Sequence, residues 1–488
     1  MPPPSSIQFY FSSSPSENSD GFTSGDMQSA HAPTGVDIAS TWIPTLDYEE
    51  AEIGSLEPGP CKLALMGRIV NFNDQVRPTK SHKAAQGCIK VMVADDTGVL
   101  TVRLWYAETR YKLKLGQLVG IWTVHISNSS EFNTLAPSTA PLFTSMFPEG
   151  ERNCHFAVYE GSDDGSRFKR PYGVKESRAL TGLMTLKNFM DGGYDIDEPK
   201  LLVCVRSIGA KKKCMLTTLD MNRNGTTSEL ISLGIFDDTV DGLLTLYSSM
   251  CDSASLFTPF TTILLISNPS WRIDKTAKLT ITSGSRVDID PDMGDARRLR
   301  AMAQRLTKRE HVNPLFTIPQ TAIQSFENAA IKALYTLADI DSVARSLSHS
   351  STKERIVGYL SVLITGLNIV TPFKRNMLMS NECCGIPLFA NSVHVKCKHC
   401  ENLVTLRINP KILGPILDET GQIGSGKLIL SDDAWCQLLG RTPHQLVETD
   451  LDVLVYLEQR LLFLRLTMGF VLDLEDEIAR LAIWCVKN

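Results

Sequence analysis

The chain has 488 residues, 43% of them apolar, enough for two to four domains with cores of their own. Its net charge of −5 excludes whole-molecule attraction to nucleic acid, so any such binding must come from local basic patches. No run of about 18 apolar residues and no basic-then-apolar leader occurs, which predicts neither a membrane span nor a signal peptide; twelve largely scattered cysteines suit an intracellular chain with free or metal-bound thiols.

Residues 1–42 are rich in Ser, Pro, Asp and Gly (FSSSPSENSDGFTSGD) and too poor in buried-type residues to offset the entropy of ordering, so they predict a disordered tail. Within it FYF, residues 9–11, reads either as a short anchor for a protein partner or as an incidental apolar cluster.

Beyond the tail the sequence repeats weakly. The first copy is LALMGRIVNF (63–72), GCIKVMVADDTGVLTVRLWY (87–106) and GQLVGIWTVHIS (116–127), with alternating apolar residues and Asp-Thr-Gly between two strands. The second runs through LLVCVRSIG (201–209), SELISLGIFDDTVDGLLTLYSS (228–249), TTILLISNPSW (261–271) and AKLTITSGSRVDI (277–289). The third begins at GYLSVLITGLNIV (358–370) and resumes at VTLRINPKILGPILDETGQIGSGKLILSDDAW (404–435). A helix-prone stretch precedes each first strand. A curled first strand, a hairpin and returning later strands describe a five-stranded Greek-key barrel, the OB-fold. The fold class predicted is therefore mainly β, with three tandem OB-folds at 43–149, 180–292 and 346–488. A flexible linker at 150–179 and a helical connector at 293–345 join them. The basic stretch MGDARRLRAMAQRLTKRE (293–310) reads as an amphipathic helix that either packs on a barrel or meets phosphate or an import receptor.

Between the first two strands of the last copy lies NECCGIPLFANSVHVKCKHC (381–400), inside a predicted ribbon at 381–402. Cys397 and Cys400 have the knuckle spacing at which two thiolates reach one tetrahedral ion. Cys383 and Cys384 are adjacent, which leaves the fourth ligand open among Cys383, His394 and His399. Four thiolates would form a closed structural shell, zinc (Zn2+) being the ion expected, with no open position for water. Two other signals point to turns: GQIGSGKL (421–428) lacks the hydroxyl residue and following helix of a phosphate loop, and Asp95/Asp96 and Asp237/Asp238 recur at the same hairpin.

Three tandem OB-folds, the DDTGVLTVRLWY hairpin and an inserted cysteine knuckle resemble the replication protein A large-subunit-like tandem OB-fold family, most nearly the branch holding shieldin complex subunit 2 and the meiosis-specific OB-domain protein. The resemblance covers about residues 45 to 488 and implies a zinc ribbon on Cys383, Cys384, Cys397 and Cys400. It also implies a nuclear protein of DNA repair, recombination or meiosis that binds single-stranded DNA.

OB grooves hold single strands by stacking bases on aromatic rings while lysine and arginine follow the phosphates. The residues available are Phe72, Trp105, Trp122, Arg68, Lys80, Lys83 and Arg103 in the first barrel. The second offers Phe236, Tyr247, Trp271, Lys211, Lys212, Lys213 and Arg272, and the third Arg407 and Lys411; in the family, Trp105 falls at a stacking position. Protein partners are expected at the tail or at a C-terminal helix (LEDEIARLAIWCVKN). No carboxylate constellation favours catalysis, so a non-enzymatic binder is expected; the alternatives are an OB-fold assembly scaffold without DNA affinity and a single-strand-specific exonuclease.

Overall fold

The computed structural model describes residues 42–75, 85–108, 110–128, 140–159, 163–175, 178–216, 226–273, 275–307, 318, 320–328, 332–347, 355–384, 386–473 and 481–487. The predicted disordered tail thus lies, up to residue 41, outside the described residues. The described residues form two compact units, divided between Lys169 and Arg170. Among the described residues no helix is long and apolar enough to cross a membrane.

In the first unit, strand β1 (Gly59–Gln75) is long enough to serve two neighbours. Its first part pairs with β4 (Leu118–Asn128) and its second with β2 (Gly87–Ala94), with a register shift at Val70 that lets it curl. β2 turns into β3 (Val99–Tyr106), which takes β5 (Leu142–Met146) in parallel, and β5 meets β4. The order 1-2-3-5-4-1 is that of the OB-fold. Alternate residues Ile89, Val91, Val93, Leu100, Val102 and Leu104 fill its interior. Residues expected in a flexible linker add a further strand, β6 (His155–Tyr159), to the free side of β4.

The second unit opens with a short helix α1 (Leu186–Met190) and a barrel of the same order in which two strands are interrupted. Strand one is β7 (Lys200–Ile208) and β8 (Lys212–Leu216), both paired with β9 (Thr226–Phe236). The triple lysine, expected in a loop, therefore belongs to an extended hairpin. β10 (Asp241–Tyr247) follows β9. Strand four breaks at Asn268, whose φ is +51°, into β11 (Ile263–Ser267) beside β7 and β12 (Ser270–Ile273) beside β13 (Ala277–Thr280); β13 pairs with β10 in parallel and closes the barrel. The strand β14 (Arg286–Ile289) adds to β11.

The basic stretch forms helix α2 (Gly294–Thr307), and of its expected readings the structure shows packing: Ala296, Leu299 and Ala303 cover Leu202, Cys204, Ile263 and Leu265. Arg300 bonds Thr261 O and Asp290, and Arg298 reaches Ala344 O in α4 (Leu337–Leu347). Before α4, helix α3 (Gln320–Glu327) lays Ile323 and Phe326 on Tyr359, Val471 and Trp484 of the last barrel. Arg345 of α4 pairs with both Asp295 and Asp341, tying the second and third barrels together.

The third barrel pairs β15 (Arg355–Ile364) with β21 (Ile416–Leu417) and β24 (Arg465–Asp473), and β24 with β25 (Leu481–Lys487). Strand three is split into β22 (Gln422–Ile423) and β23 (Leu428–Leu430), the latter parallel to β25. Helices α5 (Asp432–Leu439), α6 (Pro443–Val447) and α7 (Leu451–Leu461) fill the connection from strand three to strand four. The expected C-terminal helix is corrected in its second half: Leu481–Val486 is a continuous buried apolar run that closes the barrel as a strand, while residues 474–480 lie outside the described residues. Between β15 and β21 the ribbon forms β16 (Met379–Cys383), β17 (Ile386–Ala390), β18 (His394–Lys396), β19 (Leu403–Thr405) and β20 (Arg407–Ile408).

One device recurs in all three barrels. Asp95, Asp237 and Asp418 are buried, and each carboxylate accepts from the amide and hydroxyl of the Thr two residues on and from the next amide. The other oxygen accepts from an amide at the preceding helical segment: Ile53, Leu186 or Leu337, at 2.7 Å in each case. The threonine hydroxyl then accepts from the following amide, of Gly54, Lys187 or Ala338. The hairpin aspartates are thus joints between turn and helix start.

Candidate nucleic-acid interface and metal centre

The ribbon is two hairpins. β16 and β17 pair antiparallel and bring Cys383 to their turn, where Cys384 adopts φ +54°. β18 and β19 pair likewise, and the knuckle between them is closed by Glu401 N donating to Cys397 O and Cys397 N to Asn402 O, both at 2.9 Å. The sulfurs of Cys383, Cys384, Cys397 and Cys400 all lie within 4.8 Å of one another, with Cys383 3.3 Å from Cys400 and 3.7 Å from Cys384. Four thiolates about 2.3 Å from one tetrahedral ion would stand about 3.8 Å apart, so the cluster has the size and donor chemistry of a metal site. Hydrogen bonding from Cys384, then from the Asn402 amide and Cys383, pushes the Cys400 thiol down to about 6. The histidines left open by the sequence are not in the group; His394 Nδ1 faces Thr405 Oγ1 at 3.3 Å.

In the first barrel several expected contacts have structural duties. Arg68 is buried and grips Asp163 with two bonds of 2.7 and 2.9 Å, and also Arg167 O and Gly116 O. Phe72, opposite Val91 in the register, faces the interior. Trp122 lies on the far side of β4 in a stack with His155 and Trp42; the latter two are parallel at 4.4 Å, and burial pushes His155 down to about 4. Lys80 and Lys83 lie outside the described residues.

Trp105 and Arg103 do project from the outer side of β3. Trp105 is only 7% exposed, packs against Cys88 and Phe147, and donates from Nε1 to Ser145 Oγ at 2.9 Å. The Arg103 guanidinium lies over the Phe143 ring at 4.0 Å. The neighbours on this face, Cys88, Met92, Ala94 and Val99, are buried as well.

The second barrel presents the opposite picture. On β10, Leu244 and Leu246 point inward while Leu243 and Tyr247 remain 39% and 38% exposed on the outer face. The register sets Lys278 opposite Leu243, Thr280 opposite Thr245, and Arg272 opposite Lys278; Ser232 of β9 continues the strip on the other side. Lys278 and Arg272 are exposed. Aromatic, hydroxyl and cationic groups therefore form one open band across β9, β10, β13 and β12. Leu243 and Lys278 were missed in the sequence, although the alternation in DGLLTLY marks the first.

Of the other residues expected there, Phe236 is core and lies beneath Arg206. Lys211 is held by Glu229 and Asp252 at 2.6 and 3.2 Å, while Lys212 and Lys213 are exposed on β8. Trp271 is 41% exposed but opposes the interior residue Leu279, so it sits at the barrel end, against Tyr194 at 3.9 Å and Phe189. In the third barrel Arg407 is half-buried at the root of the ribbon and Lys411 is exposed in the turn that follows it.

Fold and site together define a class, a tandem OB-fold protein with a cysteine ribbon set into its last barrel. No family model matches the sequence, and no curated protein matches it. Among solved structures, the chain is similar to a replication protein A heterotrimer bound to single-stranded DNA, at 13% identity over 89% of this chain and 95% of that one, with a TM-score of 0.33. It is also similar to a replication factor A related protein from Methanobacterium thermoautotrophicum, at 19% identity over 23% of this chain and 94% of the other, TM-score 0.18. A third likeness is to the Ifi202 HINa domain in complex with 20-bp double-stranded DNA, at 11% identity over 48% and 100%, TM-score 0.19.

Proposed function

We propose that the chain is a non-enzymatic single-stranded DNA-binding protein of nuclear DNA repair or recombination, within the replication protein A-like family and its shieldin and meiotic branch. The observation that carries the reading is the open band of the second barrel, with Leu243 exposed beside Lys278 and Arg272 and Tyr247 exposed further along the same face of β10. Bases stack on such a surface at about 1–3 kcal/mol each while the cations follow the backbone, giving salt-sensitive binding without sequence reading. Catalysis is not part of the proposal, since Asp95, Asp237 and Asp418 spend their oxygens on turn and helix amides. The four-cysteine group would hold zinc as a structural ion, pinning two short hairpins that have little core of their own. With the C-terminal segment built into the barrel, recruitment of protein partners is assigned to the N-terminal tail.

Fluorescence anisotropy of the purified chain with labelled poly-dT of roughly 30 nucleotides and with the matching duplex, across a salt series, tests the proposal. Tight binding to the single strand that weakens with salt is expected. Equal affinity for the duplex, or no binding at micromolar protein, would refute it in favour of an assembly scaffold, and magnesium-dependent loss of the oligonucleotide would favour the exonuclease.

A further inference from the structure

On the covered outer face of the first barrel, Lys90 of β2 and Arg103 of β3 are directly opposed in the register. Like charges at such positions repel, and Lys90 is only 7% exposed. Neither side chain is paired with a carboxylate among the described residues; the Cys88 thiol neighbours Arg103, whose guanidinium rests on the Phe143 ring. Burial first, then Arg103, pushes the Lys90 ammonium down from its ordinary value. Two residues before Arg103, on the same side of β3, the Thr101 hydroxyl is buried with no hydrogen-bond partner among the described residues. Apolar clusters wall the spot on both sides: Cys88, Trp105 and Phe147 at one end, Val70, Met92, Ala94 and Val99 at the other.

A buried cation without a counter-charge is costly, and so is a buried hydroxyl without a bond. Here two cations and an idle donor share one face of two adjacent strands, and Arg103 is half-buried where Lys90 is buried. We infer that Lys90, Arg103 and Thr101 form a pocket for one phosphate group, filled by a backbone phosphate of the bound single strand. Non-bridging oxygens would accept from the ammonium, the guanidinium and the hydroxyl, removing the repulsion and satisfying Thr101. The first barrel would then contribute one fixed phosphate contact and no base stacking, which agrees with the covered state of Trp105. The assignment to the strand rests on the function proposed above; the anion pocket itself does not.

The test uses the full chain and Lys90→Met, which keeps the apolar stem and removes one of two repelling charges, so folding is expected to be retained. Single-strand affinity should fall roughly tenfold, and the slope of log affinity against log salt should become shallower by about 0.7, the loss of one phosphate contact. With a wild-type chain that binds the strand, an unchanged slope in Lys90→Met would overturn the assignment to the strand. Were the wild type not to bind single strands at all, the function proposed above would fail, and inorganic phosphate would judge the pocket alone. A thermal midpoint raised by phosphate in the wild type and in neither Lys90→Met nor Thr101→Val supports it. Equal shifts in all three chains would overturn it.

Discussion

Replacing Asp418 by alanine removes an acceptor that serves four donors. The Leu337 amide, at 2.7 Å, starts α4 and is buried, so leaving it unpaired costs about 1–3 kcal/mol. The amides of Thr420 and Gly421 and the Thr420 hydroxyl, at 2.7 to 2.9 Å, lie in an exposed turn that water can reach, and each loses about 0.5 kcal/mol. The sum, about 3 kcal/mol, is a large share of the roughly 5–15 kcal/mol that holds a domain together. Asp418→Asn keeps one acceptor oxygen and should lose about half as much. Burial alone would raise the Asp418 carboxyl, but the bonds from Leu337, Thr420 and Gly421 outweigh it and hold the group below its ordinary value. Its contribution is therefore complete above the unfolded value of about 3.9 and is lost as pH falls through the lowered one. Hydrogen exchange read by mass spectrometry on peptides from α4 and the third barrel is the assay, because a chain of several domains need not unfold in one step. Faster exchange there, with the first barrel unchanged as internal reference, is expected; protection in α4 equal to wild type would refute the joint as a stabilising device.

Tyr247→Ala should weaken single-strand binding by about 1–3 kcal/mol without lowering the thermal midpoint, whereas Trp105→Ala should lower the midpoint of the first barrel through lost packing. Metal analysis should find one zinc per chain, reduced to background in Cys397→Ser, with new exchange confined to residues 379–408; zinc retained in that variant would remove Cys397 from the site. Phe463 lies just beyond α7 with φ +62° and is 70% exposed, so Phe463→Gly should raise stability by about 1 kcal/mol in urea titration, and a loss would show that the ring packs against something that holds it there.

The barrels were legible because their interior residues alternate and because Asp-x-Thr marks the same turn three times. The ribbon was legible from one knuckle spacing. What the sequence concealed was direction. Trp105 and Tyr247 both lie in the last two residues of a third strand, yet Trp105 is roofed by Phe147 while Tyr247 is open, and that difference depends on which later segments fold over each face. Arg68 read as a phosphate contact because its partner Asp163 is distant in sequence, and the triple lysine read as a loop because β8 gains its strand character only by pairing with β9. The C-terminal stretch reads as a helix only by likeness to the family, and the pairing of LAIWCVK with β24 makes that part a strand instead.

The claim that the second barrel carries the working surface is tested most directly by photocrosslinking the full chain to a single strand bearing 4-thiothymidine and mapping the adducts by mass spectrometry. Adducts concentrated in residues 241–247 and 270–280 are the expected result. A chain that binds the strand but crosslinks only through the first barrel or the ribbon would contradict it.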